Sequence, residues 1–273
     1  MFNPIWPADH PANHQEEIEH KETPEWMTRV QNAPAMRTYL PEEEKANGTA
    51  VLILPGGGYG GVSLKNEGYP VAEWFQERGV AAFILKYRCG GGQNQQPAPL
   101  EDAQRAMQLI AECAQEHGYR ADRIGVIGFS AGGHLASCVS TMAGDDDPKA
   151  AFAVLVYPVI SMEFQTAHAG SRKNLLGKEP SDELVQRYTT WKHVNETTPP
   201  TLLIHSSDDK AVTTEHPILY YQQLIKHKVP AELHIFARGG HGYGLMPGER
   251  SFRKWPELME RWLKERALLN EPK

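Results

Sequence analysis

Cysteine is scarce in this chain. There are three among 273 residues, Cys89, Cys113 and Cys138, widely spaced and odd in number. That argues against a disulfide framework or a CxxC metal site and points to a reducing compartment. Long apolar runs are missing too: no stretch approaches the ~18 residues that a membrane helix needs. The N-terminus, Met1 to Pro7, has neither a basic segment nor an apolar one. No secretory signal is visible in it, and a cytoplasmic location is expected. There is no long basic run, and 34 acidic against 28 basic residues leave a net charge of −6. Nucleic acid is therefore not an expected partner, because phosphate neutralisation needs clustered Lys and Arg. The phosphate-loop pattern Gly-x-x-x-x-Gly-Lys is absent. Gly56-Gly57-Gly58-Tyr59-Gly60-Gly61 fits the dinucleotide fingerprint only loosely, with no acid well placed ~20 residues on to hold a ribose.

What remains is enough for one large core, since 40% of the residues are hydrophobic. Residues 1–37 are polar, with several prolines and with His10, His14 and His20 at spacings that match no metal-ligand pattern. They are expected to form an irregular surface lead-in. Residues 38–273 read as a single α/β domain. Ala50 to Leu54, Val80 to Leu85, Arg123 to Ile127, Ala151 to Tyr157, Thr201 to His205 and Ala231 to Phe236 read as strands, several of them continuously apolar and so buried on both faces. Helical patterns fall at Tyr69 to Arg78, Leu100 to His117 (closed by Gly118), the stretch after residue 130 to about Met142, Glu215 to Lys226, and Arg253 to Leu268. This alternation predicts a mostly parallel central sheet with helices on both faces. Residues 158–199 are less regular and read as a small helical cap insertion.

Gly128-Phe129-Ser130-Ala131-Gly132 sits between a predicted strand and a predicted helix. In that context the pattern is a nucleophile elbow, in which a strained strand-to-helix turn lifts the serine hydroxyl into a site. A serine hydroxyl is a poor nucleophile at neutral pH and needs a base, which in turn needs an orienting carboxylate. In this fold the partners follow in the order serine, acid, histidine. The acid is Asp208 or Asp209, just after the strand ending at His205. Asp209-Lys210-Ala211-Val212 favours Asp209, leaving Asp208 to support the loop, although an Asx turn or helix cap is an ordinary role for either. The histidine is His241, flanked by glycines after the last predicted strand, and the rate is expected to fall once it is protonated. His216, His227 and His234 fall in predicted helix or strand and read as surface or packing residues. The oxyanion hole is expected from the amide of Ala131 and from Gly57 and Gly58 in the glycine loop after the first core strand. No metal or organic cofactor is expected.

Beyond the elbow, the matching segments include Pro55 to Gly61, Glu67-Gly68-Tyr69, Leu85-Lys86-Tyr87-Arg88, Pro97 to Leu100 and Asp122 to Gly125. They continue through Gly128 to His134, Tyr157 to Met162, His168-Ala169-Gly170-Ser171-Arg172 and Gly240 to Gly244. With these, residues 48–268 resemble the bacterial α/β-hydrolase esterases of acetylxylan esterase type, the xylanase-associated carbohydrate esterases. The resemblance implies the α/β-hydrolase fold and a Ser130, Asp209, His241 triad. Gly57, Gly58 and Ala131 would be the oxyanion donors. The substrate would be a small-molecule or oligosaccharide acyl ester, with acetyl groups on a sugar hydroxyl foremost. A feruloyl esterase, an amidase or peptidase on the same site, and a non-catalytic binding homologue are the alternatives. Tyr59, His168 and Arg172 are candidates for lining the substrate pocket, with a structural turn as the other reading of His168 to Arg172. One departure stands out. Where relatives carry Val-Pro followed by Glu-Asn-Ser, this chain has Val212-Thr213-Thr214-Glu215-His216, which puts the pocket wall near His216 in question.

Overall fold

Apolar runs without polar alternation need cover on both faces, and the protein provides it. The computed structural model describes residues 1–13, 27–28, 33–163, 165–245 and 251–269. Its strands are β1 (Asn3–Pro4), β2 (Ala35–Tyr39), β3 (Ala50–Leu54), β4 (Ala81–Lys86), β5 (Ile124–Phe129), β6 (Ala153–Val156), β7 (Thr201–Ser206) and β8 (Ala231–Phe236). The helices are α1 (Leu64–Glu67), α2 (Tyr69–Glu77), α3 (Ala98–Glu112), α4 (Ala131–Thr141), α5 (Ala169–Leu176), α6 (Asp182–Arg187), α7 (Glu215–Lys226) and α8 (Trp255–Glu265). The strands form one sheet in the order β1-β2-β4-β3-β5-β6-β7-β8. β3, β5, β6 and β7 are buried along their whole length. From β4 to β8 every neighbouring pair is parallel, with β2 and β1 added antiparallel at the β4 edge.

The strand order locates the site. β3 lies between β4 and β5, so the chain leaves β3 to one side and returns past it to the other. Loops after the two strands diverge there and open a crevice at the carboxyl ends of the sheet. The loop after β3 carries Gly56-Gly57-Gly58, and the turn after β5 carries Ser130.

Three sequence expectations need correction. The lead-in is not an irregular arm among its described residues. β1 and β2 extend the sheet, Ile5 and Ala12 are buried, and the indole of Trp6 donates to Asp102 Oδ1 at 2.8 Å. Asp102, itself fully buried on α3, is held by the Arg88 guanidinium as well. Thr28 pairs with Val62 and so brings Met27 to the crevice. β2 escaped notice because, next to the edge of the sheet, it is only partly buried, and Ala35-Met36-Arg37-Thr38-Tyr39 makes no continuous apolar run. Second, α3 ends at Glu112 rather than His117, and a chain of turns carries the backbone on to Gly118 at φ +74°. Third, residues 158–199 contribute the short α5 and α6 and one 3-10 turn at Thr190–His193, but Tyr157 to Met162 are fully buried and belong to the core. His14 and His20 lie outside the described residues. Among the described residues no helix is long and apolar enough to cross a membrane.

Candidate active site

Ser130 follows β5 directly and caps α4 with φ +53° and ψ −118°. A residue with a Cβ pays strain in that region, and such strain is typical of a group held for chemistry. The turn is possible because the helix enters immediately beneath: a Cβ on Gly132 would run into the Leu54 carbonyl oxygen and lie 2.5 Å from that of Pro55. Ala131, the first residue of α4, is fully buried. The opening amides of a helix have no intrahelical acceptor and carry its positive dipole end, so the backbone here favours negative charge beside Ser130.

Ser130 Oγ lies 2.8 Å from His241 Nε2, and His241 Nδ1 lies 2.6 Å from Asp209 Oδ2. Asp209 also accepts the backbone N–H of Ala211 at 2.8 Å and of Val212 at 2.9 Å through its other oxygen. Burial alone would push its carboxyl up; the His241 hydrogen bond, the His241 charge and the two amides outweigh burial and hold it below the usual carboxylate range. An ionised Asp209 is acceptor-only, so the imidazole proton sits on Nδ1 and Nε2 is left to accept from the serine hydroxyl. Of the two aspartates left open by the sequence, Asp209 therefore meets the imidazole. Asp208 instead accepts the N–H groups of Gly239 at 2.8 Å and Gly240 at 2.7 Å, bracing the loop just before His241.

Ser130 and His241 open onto a cavity of about 650 Å³ that is also lined by Gly57, Gly58, Met27 and His168. Gly57 has φ +142°, and a Cβ there would meet the Gly61 backbone, its carbon at 2.7 Å, so the close approach of this loop requires glycine. Among the described residues lining the cavity, Met27 is the only long apolar side chain.

The three candidate pocket residues separate. His168 does line the cavity, and its Nδ1 faces Ser171, whose amide it accepts at 3.2 Å as the N-cap of α5. Thus the pocket-lining and turn-forming readings of this histidine both describe it. Tyr59 does not line the cavity. Its φ of +56° swings the ring into the core, where the hydroxyl meets His134 Nδ1 at 2.8 Å and the edge packs on Tyr87. Arg172 also points elsewhere: its Nε donates to the Met162 carbonyl at 3.0 Å, and it lines a different surface hollow together with Lys173 and Lys178. His216 is fully buried and accepts the amides of Ile160 and Ser161 on Nδ1 while Nε2 donates to Thr166 O, a packing role.

One group of potential metal ligands occurs among the described residues: Cys113, Glu116 and His117, with ligand atoms within 4.8 Å of one another. They lie between α3 and β5, on the edge of the sheet opposite Ser130.

With this geometry in place, comparison with known proteins gives it a family. The BD-FAE family model matches residues 36–224. The chain belongs to the BD-FAE family. It is 33% identical over 233 residues to an acetylxylan esterase of Xylanibacter ruminicola, covering 84% of this chain and 48% of that protein. This BD-FAE chain thus spans about half the length of that curated relative. Among solved structures it resembles the acetyl ester-xyloside bifunctional hydrolase of Caldicellulosiruptor lactoaceticus at 35% identity and TM-score 0.84, covering 99% of this chain and 97% of that one. It also resembles MGS-M1, an α/β-hydrolase enzyme from a deep-sea metagenome library of the Medee basin, at 29% identity and TM-score 0.69, covering 86% and 93%. The fold is that of an α/β hydrolase.

Sequence reasoning missed two groups beside the site in this BD-FAE chain. Glu67, almost fully buried, also lines the cavity, and the ring of Tyr157 packs edge-on to His241 at 4.9 Å between centroids. No spacing rule marks either, because their partners are distant in the chain.

Proposed function

We propose that the protein is a serine esterase that removes short acyl groups, acetyl foremost, from carbohydrate hydroxyls. The observation that carries this reading is the hydrogen-bonded line from Ser130 through His241 to Asp209 at a cavity walled by glycine backbone. His241 Nε2 takes the proton of Ser130 as Oγ attacks the ester carbonyl. The amides of Gly57, Gly58 and Ala131 hold the oxyanion, each donor worth ~10²–10³ in turnover. The carbonyl re-forms, the bond to the alcohol breaks, and His241 hands its proton to the departing oxygen. Water, deprotonated in turn by His241, then attacks the acyl-serine; the bond from the acyl carbon to Ser130 Oγ breaks, His241 returns the proton to Oγ, and the acid is freed. Asp209 keeps the imidazole in the required tautomer and stabilises its cation. Every step uses these side chains, backbone amides and water.

Two features support this assignment. The lining around Ser130 is built largely of glycines and short polar side chains, Ser63 and Asn66 among them, which offer hydrogen bonds to a sugar hydroxyl. The relative and the solved structure with the highest identities quoted above carry acetylxylan and acetyl ester in their names. A panel of nitrophenyl acetate, nitrophenyl butyrate and a nitrophenyl ester with an aromatic acyl group, run beside a matched amide and an acetylated xylo-oligosaccharide, tests the reading. Acetyl esters are expected to be hydrolysed fastest, with acetate released from the oligosaccharide. A nitrophenyl ester with an aromatic acyl group, or the amide, turned over faster than the acetate refutes the substrate assignment.

A further inference from the structure

Glu67 is 3% exposed, and every hydrogen bond around its carboxylate points inward. The amide of Gly56 donates to Oε2 at 2.7 Å, and the Tyr157 hydroxyl donates to Oε1 at 2.8 Å. That hydroxyl oxygen in turn accepts the amide of Gly244 at 2.8 Å. The two backbone N–H groups can only donate, so with Tyr157 donating to Oε1 both carboxylate oxygens act as acceptors. An ionised carboxylate satisfies this arrangement and a neutral amide does not. Burial is the stronger influence and leaves the carboxyl above its usual range, with the Tyr157 hydroxyl, the Gly56 amide and the His241 charge offsetting only part of that rise, so the acceptor roles rest on the hydrogen-bond geometry.

The elements joined in this way are those that bring the reacting groups together. Gly56 immediately precedes Gly57 and Gly58. Gly244 lies three residues beyond His241. Tyr157 follows β6 at a φ of +38° and lays its ring against the imidazole. Glu67 also stands close to the nucleophile: a Cβ placed on Gly56 would lie 2.9 Å from Glu67 Oε2 and 2.9 Å from Ser130 Cβ. A buried carboxylate is costly unless its acceptor sites are filled, and a half-satisfied network is worse than none. A core that needed only packing at this point would be served by an apolar side chain.

We propose that Glu67 is a positioning residue for acyl transfer, one carboxylate that ties the glycine loop to the histidine loop and so holds the oxyanion amides and the imidazole at their working separation around Ser130. The inference rests on the reading of Ser130 as the nucleophile. Glu67 need not touch the substrate to act; it works through Gly56 on one side and through Tyr157 on the other.

The test is a double-mutant cycle of Glu67→Gln and Tyr157→Phe, read in kcat and KM separately on nitrophenyl acetate, with thermal melts on each variant. Glu67→Gln turns one inward acceptor into a donor and breaks one link. Tyr157→Phe removes the link to the histidine loop and leaves the Gly56 contact in place. Each variant is expected to lose ~10-fold or more in kcat with KM within about two-fold, because a transition-state geometry is disturbed rather than ground-state binding. The double variant is expected to be little worse than Glu67→Gln alone, because the two act in one chain. If Glu67→Gln fails to fold, Tyr157→Phe carries the same kcat-against-KM test. Wild-type kcat in Tyr157→Phe, a loss confined to KM, or strictly additive losses in the cycle overturn the role of Glu67. An inactive wild-type protein overturns the esterase reading instead, and this inference with it.

Discussion

The elbow is strained, and the strain can be weighed without any substrate. Ser130 holds φ +53° and ψ −118°, a conformation that disfavours any side chain carrying a Cβ. Such positions cost ~1–3 kcal/mol. Ser130→Ala and Ser130→Gly both lose the 2.8 Å contact with His241, so that loss cancels when the two variants are compared with each other. Alanine keeps the Cβ and the strain. Glycine sheds the strain but frees the unfolded chain, which costs ~0.5–1 kcal/mol. The midpoints of the two ranges leave the glycine variant more stable than the alanine variant by ~1 kcal/mol. At an ordinary helix entry glycine would have no such advantage. Urea unfolding of both variants at equal m-value measures the difference directly, and scanning calorimetry should show a rise of a few degrees, since ~1 kcal/mol moves Tm by roughly 2–4 °C in a domain of this order of size. An alanine variant as stable as the glycine variant, or more so, would refute the claim that the fold holds Ser130 under backbone strain.

Other consequences follow from neighbouring residues. Asp209→Asn should cut kcat on the order of 10⁴-fold by allowing the wrong imidazole tautomer, whereas Asp208→Ala, which only unbraces Gly239 and Gly240, should cost ~10-fold or less; steady-state kinetics on an acetyl ester separate them. Gly132→Ala should fail to give soluble folded protein or lose more than ~3 kcal/mol in urea unfolding, because the new Cβ meets the Leu54 and Pro55 backbone rather than a side chain that could move. Burial lowers His134 and His216 from 6.5 to about 4, so both stay neutral in the folded state while the unfolded chain takes up protons below 6.5. Their contribution to stability is complete above pH 6.5 and is lost as the pH falls towards 4, by up to ~3 kcal/mol each, and urea midpoints measured across that window should drop accordingly. Replacing His216 by Gln, which can also accept and donate, should flatten part of that slope.

The parallel strands were legible because β3, β6 and β7 are short apolar runs closed by turn residues, too short for a buried helix and consistent with a sheet covered on both faces. Ser130 and His241 were legible because the fold imposes an order on them. The order did not separate Asp208 from Asp209; that required knowing which carboxylate faces Nδ1 and which faces two glycine amides. β2 was hidden because it is a partly buried strand containing Arg37, and the docking of the lead-in was hidden because Trp6 and Asp102 are 96 positions apart. Tyr59 was misplaced for a local reason. Adjacency to the glycine loop suggested the cavity, but a left-handed turn at Tyr59 itself reverses the direction of the ring. Arg172 shares a helix with the cavity-lining Gly170 and Asn174, yet its side chain turns back to Met162. Glu67 and Tyr157 join loops whose proximity is created only by the strand order.

Covalent capture of the nucleophile is the most direct measurement. The intact protein is treated with a fluorophosphonate probe and the adduct is located by peptide mass spectrometry. One adduct per chain is expected, on Ser130, absent in Ser130→Ala and slowed on the order of 10³-fold or more in His241→Gln. An unlabelled wild-type protein, or an adduct on any residue other than Ser130, contradicts the assignment of Ser130 as the nucleophile.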